Sequence, residues 1–262
     1  MKTIIKIFLI LILISLSVFA ESGKEKYDDV VVHTGKYIPL NLSFTDSNGK
    51  IIQLKKIINK PTVIDFGYYR CTGICTPLMT EIADVIDKVN LTPGKDYNIL
   101  SVSIDKNETP AIAAEKKNEL IGLVERKISP SSWRFLTGDS LSIHKLTEAA
   151  GFHFYRAENI IVHKGILIFV DKNGKICSYL QPGYDRKGNF SVLPSQFEMA
   201  VLDAGKGNIT PGVLGTLQTC LGIKKGNLYV FFALLITGIF TIVTTILIIK
   251  KTNPNKGINK IG

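Results

Sequence analysis

Apolar residues recur along this chain with two different spacings, and their alternation predicts an α/β fold. A β-hairpin is expected where two apolar runs flank Asn48-Gly49, a pair that favours a tight turn. The next apolar, β-branched run, Val63 to Phe66, is bounded by Pro61 and Gly67, which predicts a buried strand. Beyond it, apolar residues recur every three or four positions, as in a helix: Leu78, Ile82, Val85, Ile86 and Val89.

Strands and helices continue to alternate along the rest of the chain. Further strands are predicted over residues 97–104, 133–136, 165–170 and 175–180. Further helices are predicted over residues 111–124, 140–150 and 194–203. The last two strands form a hairpin through the turn Asp171 to Gly174. This order predicts a thioredoxin-like fold, with a mixed sheet of four or five strands and helices on both faces.

Two long apolar stretches lie near the ends of the chain. Residues 1–20 have a basic start, an apolar run and a Val18-Phe19-Ala20 cleavage site, as in a secretory signal peptide. Residues 228–249 are uncharged and predominantly apolar, and as a helix they would extend about 33 Å, enough to cross a bilayer. Because Lys250 and Lys251 follow at once, we expect the 250–262 tail in the cytoplasm and residues 21–227 outside it.

These patterns divide the chain into six segments. Between the signal and the span we place an N-terminal extension with the hairpin (21–58), a thioredoxin-like domain (59–205) and a tether (206–227). The net charge of +10 is spread over lysines along the chain and forms no dense basic block. We interpret it as solubility, with attraction to anionic lipid or an acidic partner, and nucleic-acid binding is not indicated.

Cys71 and Cys75 lie where the first core strand ends and a helix begins. If one helical turn holds both, their spacing puts the Cβ atoms roughly 5–6 Å apart. The free N–H groups and positive dipole of a helix start lower the pKa of a thiol, and thiolates bind soft metals or attack disulfides. The alternative is a structural disulfide or two core cysteines, but a disulfide that closes so short a loop restricts the unfolded chain little. We therefore predict a redox-active or metal-binding pair.

His163 precedes the strand at 165–170, and a thioredoxin-like plan brings it back beside the cysteine helix. Thiol-disulfide oxidoreductases hold a cis-proline at this place, whereas residues 159–181 contain no proline. Two thiolates and one imidazole make a soft set of three ligands that suits copper in either oxidation state. Structural zinc would need a fourth protein ligand.

Four segments carry a resemblance to a known family: FGYYRCTGICT, SIDKNETP, WRFLTGD, and His163 ahead of GILIFVDKNGKI. Over about residues 30–205 the chain resembles the Sco/SenC family of copper-binding assembly factors for cytochrome c oxidase, in particular its members with a C-terminal membrane span. The resemblance implies copper bound by Cys71, Cys75 and His163. It also implies delivery of copper to the dinuclear site of oxidase subunit II, or reduction of the cysteines there. For the oxidised form we predict a Cys71–Cys75 disulfide.

The chain departs from the family pattern at three positions without losing a ligand. Thr72 and Gly73 replace a common proline and acidic residue, and Val162 stands where many members have Asp before the histidine. If that Asp orients the ligand, the strength of copper binding is altered here.

Three other functions remain open on the sequence alone. The first is a thiol-disulfide reductase acting on the oxidase or on other exported proteins, which the chaperone function does not exclude. The second is a peroxidase, since residues 72–75 match the Thr-x-x-Cys of peroxiredoxins. The third is a redox sensor without a stable metal. Of the remaining residues, we expect Cys177 to be a buried core thiol, Cys220 to lie in the tether, and Asp105 to cap its loop or to support the site.

Overall fold

The computed structural model describes most of the chain between the two predicted apolar ends. It covers residues 30–71, 73–158, 160–185, 188, 190–210, 237, 238, 241, 244 and 245. The predicted signal peptide, Cys220, the 250–262 tail and most of the tether and span lie outside the described residues. Within the described part, no helix is both long and apolar enough to cross a bilayer. The chain divides into two units, residues 1–210 and 211–262, and the fold below is that of the first.

Strands and helices alternate along this unit. The strands in its described residues are β1 (Ser43–Asp46), β2 (Ile51–Gln53), β3 (Thr62–Gly67), β4 (Asn98–Ser103), β5 (Trp133–Thr137), β6 (Tyr155–Ala157), β7 (Ile160–Val162), β8 (Leu167–Val170), β9 (Ile176–Leu180), β10 (Gly183–Tyr184) and β11 (Phe190–Ser191). The helices are α1 (Leu54–Ile57), α2 (Cys75–Lys88), α3 (Pro110–Ile121), α4 (Ser140–Ala149) and α5 (Pro194–Lys206).

One mixed sheet organises the domain, in the strand order β2-β1-β5-β4-β3-β8-β9 among the described residues. The three central strands β3, β4 and β5 are parallel, and β8 and β9 add antiparallel strands beside β3. Helices cover both faces, so the predicted α/β, thioredoxin-like plan is confirmed. The prediction of four or five strands is wrong, because the N-terminal hairpin joins the sheet instead of standing ahead of it.

The hairpin β1–β2 completes the sheet at the β5 edge. Its turn forms as predicted: Gly49 has a φ of 78°, and the Asp46 carboxylate accepts the backbone N–H groups of Asn48 and Lys50, both at 2.9 Å. Residues of β1 then pair with β5, Thr45 opposite Thr137. Without this pairing, β5 would be an edge strand with unpaired backbone groups.

Side chains of the central strand alternate between two cores. Val63 packs with the helices α2, α3 and α5, whereas Ile64 and Phe66 pack with α1 and α4 on the opposite face. Because both faces are covered, apolar side chains follow one another in the sequence of this strand, interrupted by Asp65.

Two short hairpins, β6–β7 and β10–β11, are absent from the sequence prediction. The β6–β7 turn contains Glu158, the non-glycine residue with positive φ (52°), and no Asn-Gly or Asp-Gly pair marks it. The chain leaves β7 directly into His163, so this hairpin positions the histidine. Element ends also shift slightly, since α3 ends at Ile121 ahead of Gly122 and α5 continues to Lys206.

Candidate metal centre

The two cysteines occupy different local structures. Cys75 is the first residue of α2, whereas Cys71 lies in the turn that precedes the helix, so the two do not share one helical turn. The turn is tied to the helix, because the Thr76 hydroxyl donates to the Cys71 carbonyl at 2.9 Å and the Gly73 N–H donates to the Cys71 sulfur at 3.3 Å. Both side chains are nearly inaccessible, with 7% exposure for Cys71 and 1% for Cys75.

Gly67 lets α2 begin directly against the end of β3. A Cβ at this position would lie 3.1 Å from the Cys75 Cβ and 3.3 Å from its sulfur. Such contacts are tighter than almost any real side chain makes, so glycine is what allows the sulfur this close to the strand.

His163 reaches the cysteine pair from the far end of the domain. Its Nε2 lies 3.0 Å from the Cys75 sulfur, and its Nδ1 lies 3.0 Å from the Lys164 carbonyl oxygen. Because a carbonyl can only accept, Nδ1 carries the hydrogen, and Nε2 turns a lone pair toward the sulfur. The ring is buried beside Tyr68 and Phe152, at centroid distances of 6.3 and 5.7 Å. The structure therefore joins residues that are 88 positions apart.

The hydrogen bond between the two cysteines shifts the pKa values of their thiols in opposite directions. The pKa of Cys71 is lowered to about 5, first by the hydrogen bond from the Cys75 thiol, and further by the N–H groups of Cys75 and Gly73 and the Tyr68 hydroxyl, against an opposing effect of burial. The same bond to Cys71, together with burial, raises the pKa of Cys75 well above its ordinary value. Negative charge thus rests on Cys71, and Cys75 keeps its proton between two acceptors, the Cys71 sulfur and His163 Nε2.

This arrangement can take a soft cation only after a small rearrangement. Among the described residues, no three His, Cys, Asp or Glu side chains surround a point ready for an ion. Sulfur and imidazole nitrogen bound to one ion, at the bond lengths of zinc sites, lie roughly 3.5–3.8 Å apart. The Cys75 sulfur and His163 must therefore part by roughly half an ångström, and the ion then takes the place of the Cys75 proton. The donor types, two sulfurs and one imidazole, fit copper.

The described cysteines Cys71, Cys75 and Cys177 are all free thiols. The Cys71–Cys75 disulfide concerns the oxidised form and stays a prediction. Cys177 is fully buried, as expected, and burial raises the pKa of its thiol. A peroxidase would use Cys75 as its thiolate, whereas the hydrogen bond to Cys71 and burial raise the pKa of this thiol.

Neighbouring residues hold the site from both sides. Asp105 caps its own loop, as expected, by accepting the Asn107 N–H at 3.1 Å, and it also pairs with Arg156 of the β6–β7 hairpin at 3.0 Å. Glu108 accepts backbone N–H groups of the turn before Cys71. Sequence reasoning missed both Arg156 and Glu108, because a charged residue in a short strand or ahead of a helix ordinarily faces solvent.

Solvent reaches the site from the Cys71 side. A cleft of about 680 Å³ opens between α2 and α3, and its walls include Arg70, Cys71, Pro77 and Ile112. On the other side, Val162 stands next to His163, and the backbone carbonyl of Lys164 holds Nδ1. The second nitrogen of the ring therefore has a partner although the Asp common at position 162 is missing.

Comparisons with known proteins place the chain in a family. The family model described as SCO1/SenC matches residues 35–193. The SCO1 protein homolog of Bacillus subtilis (strain 168) is 26% identical over 150 residues, which cover 53% of this chain and 73% of the relative. A proposed electron transfer protein of Aquifex aeolicus VF5 has a TM-score of 0.58 at 23% identity, covering 67% of this chain and 95% of the other.

A second solved structure is similar at lower identity. ScoI of Arabidopsis thaliana, with copper bound, has a TM-score of 0.50 at 19% identity, and the match covers 62% of this chain and 94% of the other. Likeness at these identities shows the fold alone. The match to the family model spans more than half of the sequence, together with both cysteines and His163. On this ground, the chain belongs to the SCO1/SenC family.

Proposed function

We propose that this protein is a membrane-anchored copper chaperone that acts outside the cytoplasm and supports assembly of the copper site of cytochrome c oxidase. The observation that carries the proposal is the position of the His163 ring. Its Nε2 lies 3.0 Å from the Cys75 sulfur with the lone pair directed at that sulfur, next to the Cys71 thiolate. Membership of the SCO1/SenC family and the copper bound on the same fold in Arabidopsis thaliana ScoI support it.

Cys71, Cys75 and His163 would hold the copper ion as cargo. The Cys71 thiolate faces the open cleft and is already charged at neutral pH, so it is the ligand that an arriving ion meets first. Cys75 gives up its proton on binding, and the Lys164 carbonyl keeps the His163 ring oriented through Nδ1. Three protein ligands leave a coordination position open, through which a receiving protein can bind and remove the ion.

The partner in this proposal is subunit II of the oxidase or a similar copper-receiving protein. Such a partner works at a membrane, which fits a domain anchored by residues 228–249 and held on the outer face of the cytoplasmic membrane. Tethering also raises the local concentration of the chaperone around a membrane-bound partner.

A thiol-disulfide reductase is the second candidate, and the separation of the two thiol pKa values favours it. The Cys71 thiolate would attack a disulfide of an exported or oxidase protein and release one of its sulfurs as a thiol. Cys75 would then lose its proton, attack the mixed disulfide at Cys71 and release the second thiol, leaving a Cys71–Cys75 disulfide. The client gains the two electrons that the protein loses.

Anaerobic titration with Cu(I) and Cu(II) tests the chaperone function on the full chain in detergent. We expect the parent to bind about one equivalent, and the double variant Cys71→Ala/Cys75→Ala to bind none tightly. His163→Ala should abolish tight Cu(II) binding and leave dithiol–disulfide exchange with glutathione largely intact, because exchange needs only the sulfurs. His144→Ala is the matched control, since that side chain is 71% exposed on α4.

The two functions separate in the same experiment. Unaltered copper affinity in His163→Ala would show that the ligand assignment is wrong. Absence of tight copper binding in the parent, together with rapid reduction of a client disulfide, would favour the reductase instead.

A further inference from the structure

Glu108 is a buried carboxylate that the copper ligands do not touch. It lies in the loop after β4, directly before Thr109, which caps α3, and only 6% of the residue is exposed. An acidic residue at a helix start ordinarily faces solvent, where it interacts with the helix dipole. Glu108 instead turns inward, and a charge is placed in the interior only where strong hydrogen bonds compensate its lost hydration.

Three hydrogen bonds reach the Glu108 carboxylate, and two of them come from the backbone ahead of Cys71. Oε2 accepts the Tyr69 N–H at 2.9 Å, and Oε1 accepts the Arg70 N–H at 2.8 Å. The Ser103 hydroxyl donates to Oε2 at 2.6 Å. Hydrogen bonds to a charged acceptor are about twice as strong as those between neutral groups. The carboxylate therefore holds two consecutive backbone amides of one turn in place.

The turn that Glu108 holds leads directly into Cys71. The Cys71 N–H donates to the Tyr68 carbonyl at 3.2 Å and closes the turn, so residues 69 and 70 set where the sulfur lies. The Tyr69 ring is anchored separately, because its hydroxyl lies 2.7 Å from the Leu136 carbonyl oxygen. The backbone between that ring and Cys71 is held by Glu108.

We propose that Glu108 is a positioning residue for the Cys71–Cys75–His163 centre. Its carboxylate fixes the turn so that the Cys71 sulfur meets the Gly73 N–H and the Cys75 thiol while Cys75 meets His163. Copper affinity tests this inference only through the proposed function, on which that part of the inference rests. The alkylation rate of Cys71 depends only on the two cysteines.

Conservative variants separate this role from bulk stability. In Glu108→Gln one oxygen accepts a single N–H, and the new amide group turns its own N–H toward the second donor. In Glu108→Asp both oxygens remain on a shorter side chain, which keeps part of the hydrogen bonding to the turn. Asp87 supplies a matched control, because its carboxylate accepts the backbone N–H groups of Glu125 and Arg126, at 2.8 and 3.0 Å, beside the C-terminal half of α2.

The experiment compares Glu108→Gln, Glu108→Asp and Asp87→Asn in the full chain in detergent. Guanidinium unfolding measures stability. Alkylation of the reduced protein by iodoacetamide at pH 7 is followed at Cys71 by mass spectrometry of the peptide that contains it, and anaerobic titration measures copper affinity. We expect Glu108→Gln and Asp87→Asn to lose similar stability. Glu108→Gln alone should speed Cys71 alkylation at least threefold, because release of the turn exposes a residue of which only 7% is accessible. It should also weaken copper binding at least tenfold, while Glu108→Asp lies between the parent and Glu108→Gln.

Equal effects of Glu108→Gln and Asp87→Asn on alkylation and copper binding would overturn the proposal, since the carboxylate would then act only on stability. If Glu108→Gln does not fold, the comparison of Glu108→Asp with Asp87→Asn decides in the same way. If the parent binds no copper, the proposed function fails, and the alkylation rates still decide the role of Glu108.

Discussion

Asp65 interrupts the apolar run of β3, and its carboxyl is buried in the middle of the sheet. Its Oδ1 accepts the Ser101 hydroxyl at 2.7 Å, and that hydroxyl in turn accepts the Trp133 indole N–H at 2.8 Å. Burial raises the pKa of Asp65 to about 7, and the bond from Ser101 opposes the shift. The carboxyl therefore takes up a proton near neutral pH, which the ordinary carboxyl value of 3.8 would not allow.

This shift makes the stability of the domain depend on pH. Because the folded chain binds the Asp65 proton more tightly than the unfolded chain, stability falls as pH rises from about 4 to about 7 and stays low above that. Asp65→Asn keeps an oxygen for Ser101 and removes the charge, so it should stabilise the protein at pH 8 by on the order of a few kcal/mol. The gain should vanish near pH 4, as measured by guanidinium unfolding across pH.

Asp84→Asn is the control for that series, because Asp84 is an exposed carboxylate on the same side of the sheet, paired with Lys88. It should change stability little at any pH in this range. An Asp65→Asn gain that is equal at pH 4 and pH 8 would show that the carboxyl does not titrate on folding.

The sequence alone proposes which residues bear the chemistry, and the structure brings these residues together. The sequence could not predict the residues that hold them in place. Cys71, Cys75 and His163 stand in an ordered set of motifs, and a known fold plan brings the last of them near the first two. Glu108 and Arg156 act through contacts with segments 38 and 51 positions away. No local pattern marks such partners, because a buried acid and a solvated one look alike in a sequence.

At the scale of elements, local periodicity predicted the type of the longer strands and helices but not the neighbours of each strand. The short elements α1, β6, β7, β10 and β11 were not predicted. The Asn48-Gly49 turn specified a hairpin, while its attachment to β5 depends on Thr45 and Asp46 meeting a strand some 90 residues later. The hairpin and α1 also supply buried apolar side chains, Phe44 at 2% exposure and Leu54 at 0%. Burial of each contributes about 1.5–3 kcal/mol, so this segment is part of the core.

Removing the hairpin should therefore unfold the domain. We compare a chain of residues 30–210 with one of residues 59–210, since residue 30 already pairs with Phe152. The longer chain should unfold cooperatively on heating, as followed by far-UV circular dichroism. The shorter one should be unfolded or insoluble, because β5 becomes an exposed edge and the core loses the buried side chains of Phe44 and Leu54. Cooperative melting of both within a few degrees would contradict this.

At the scale of the whole molecule, the chemistry lies in the first unit and the proposed anchor in the second. Among the described residues, the proposed ligands and the groups that support them lie between Gly67 and Lys164. The proposed anchor would decide where the site works. Reduction of the thiol pair and transfer of an ion to a partner both require a defined compartment. On this proposal, the position of the span relative to its flanking lysines sets that compartment.

The anchor makes a prediction that can be tested in membranes of cells expressing the full chain. The protein should resist alkaline carbonate extraction, and protease added to intact spheroplasts should digest the 21–227 region. Gly238→Arg/Thr241→Arg puts two charges in the middle of the span, at about 2.5–3.5 kcal/mol each, and should release the protein. Thr252→Arg/Asn253→Arg adds the same two charges beyond the span and should leave the protein anchored. Protection of the domain from protease in spheroplasts would place the copper ligands in the cytoplasm, where the oxidase copper site is not assembled on this proposal.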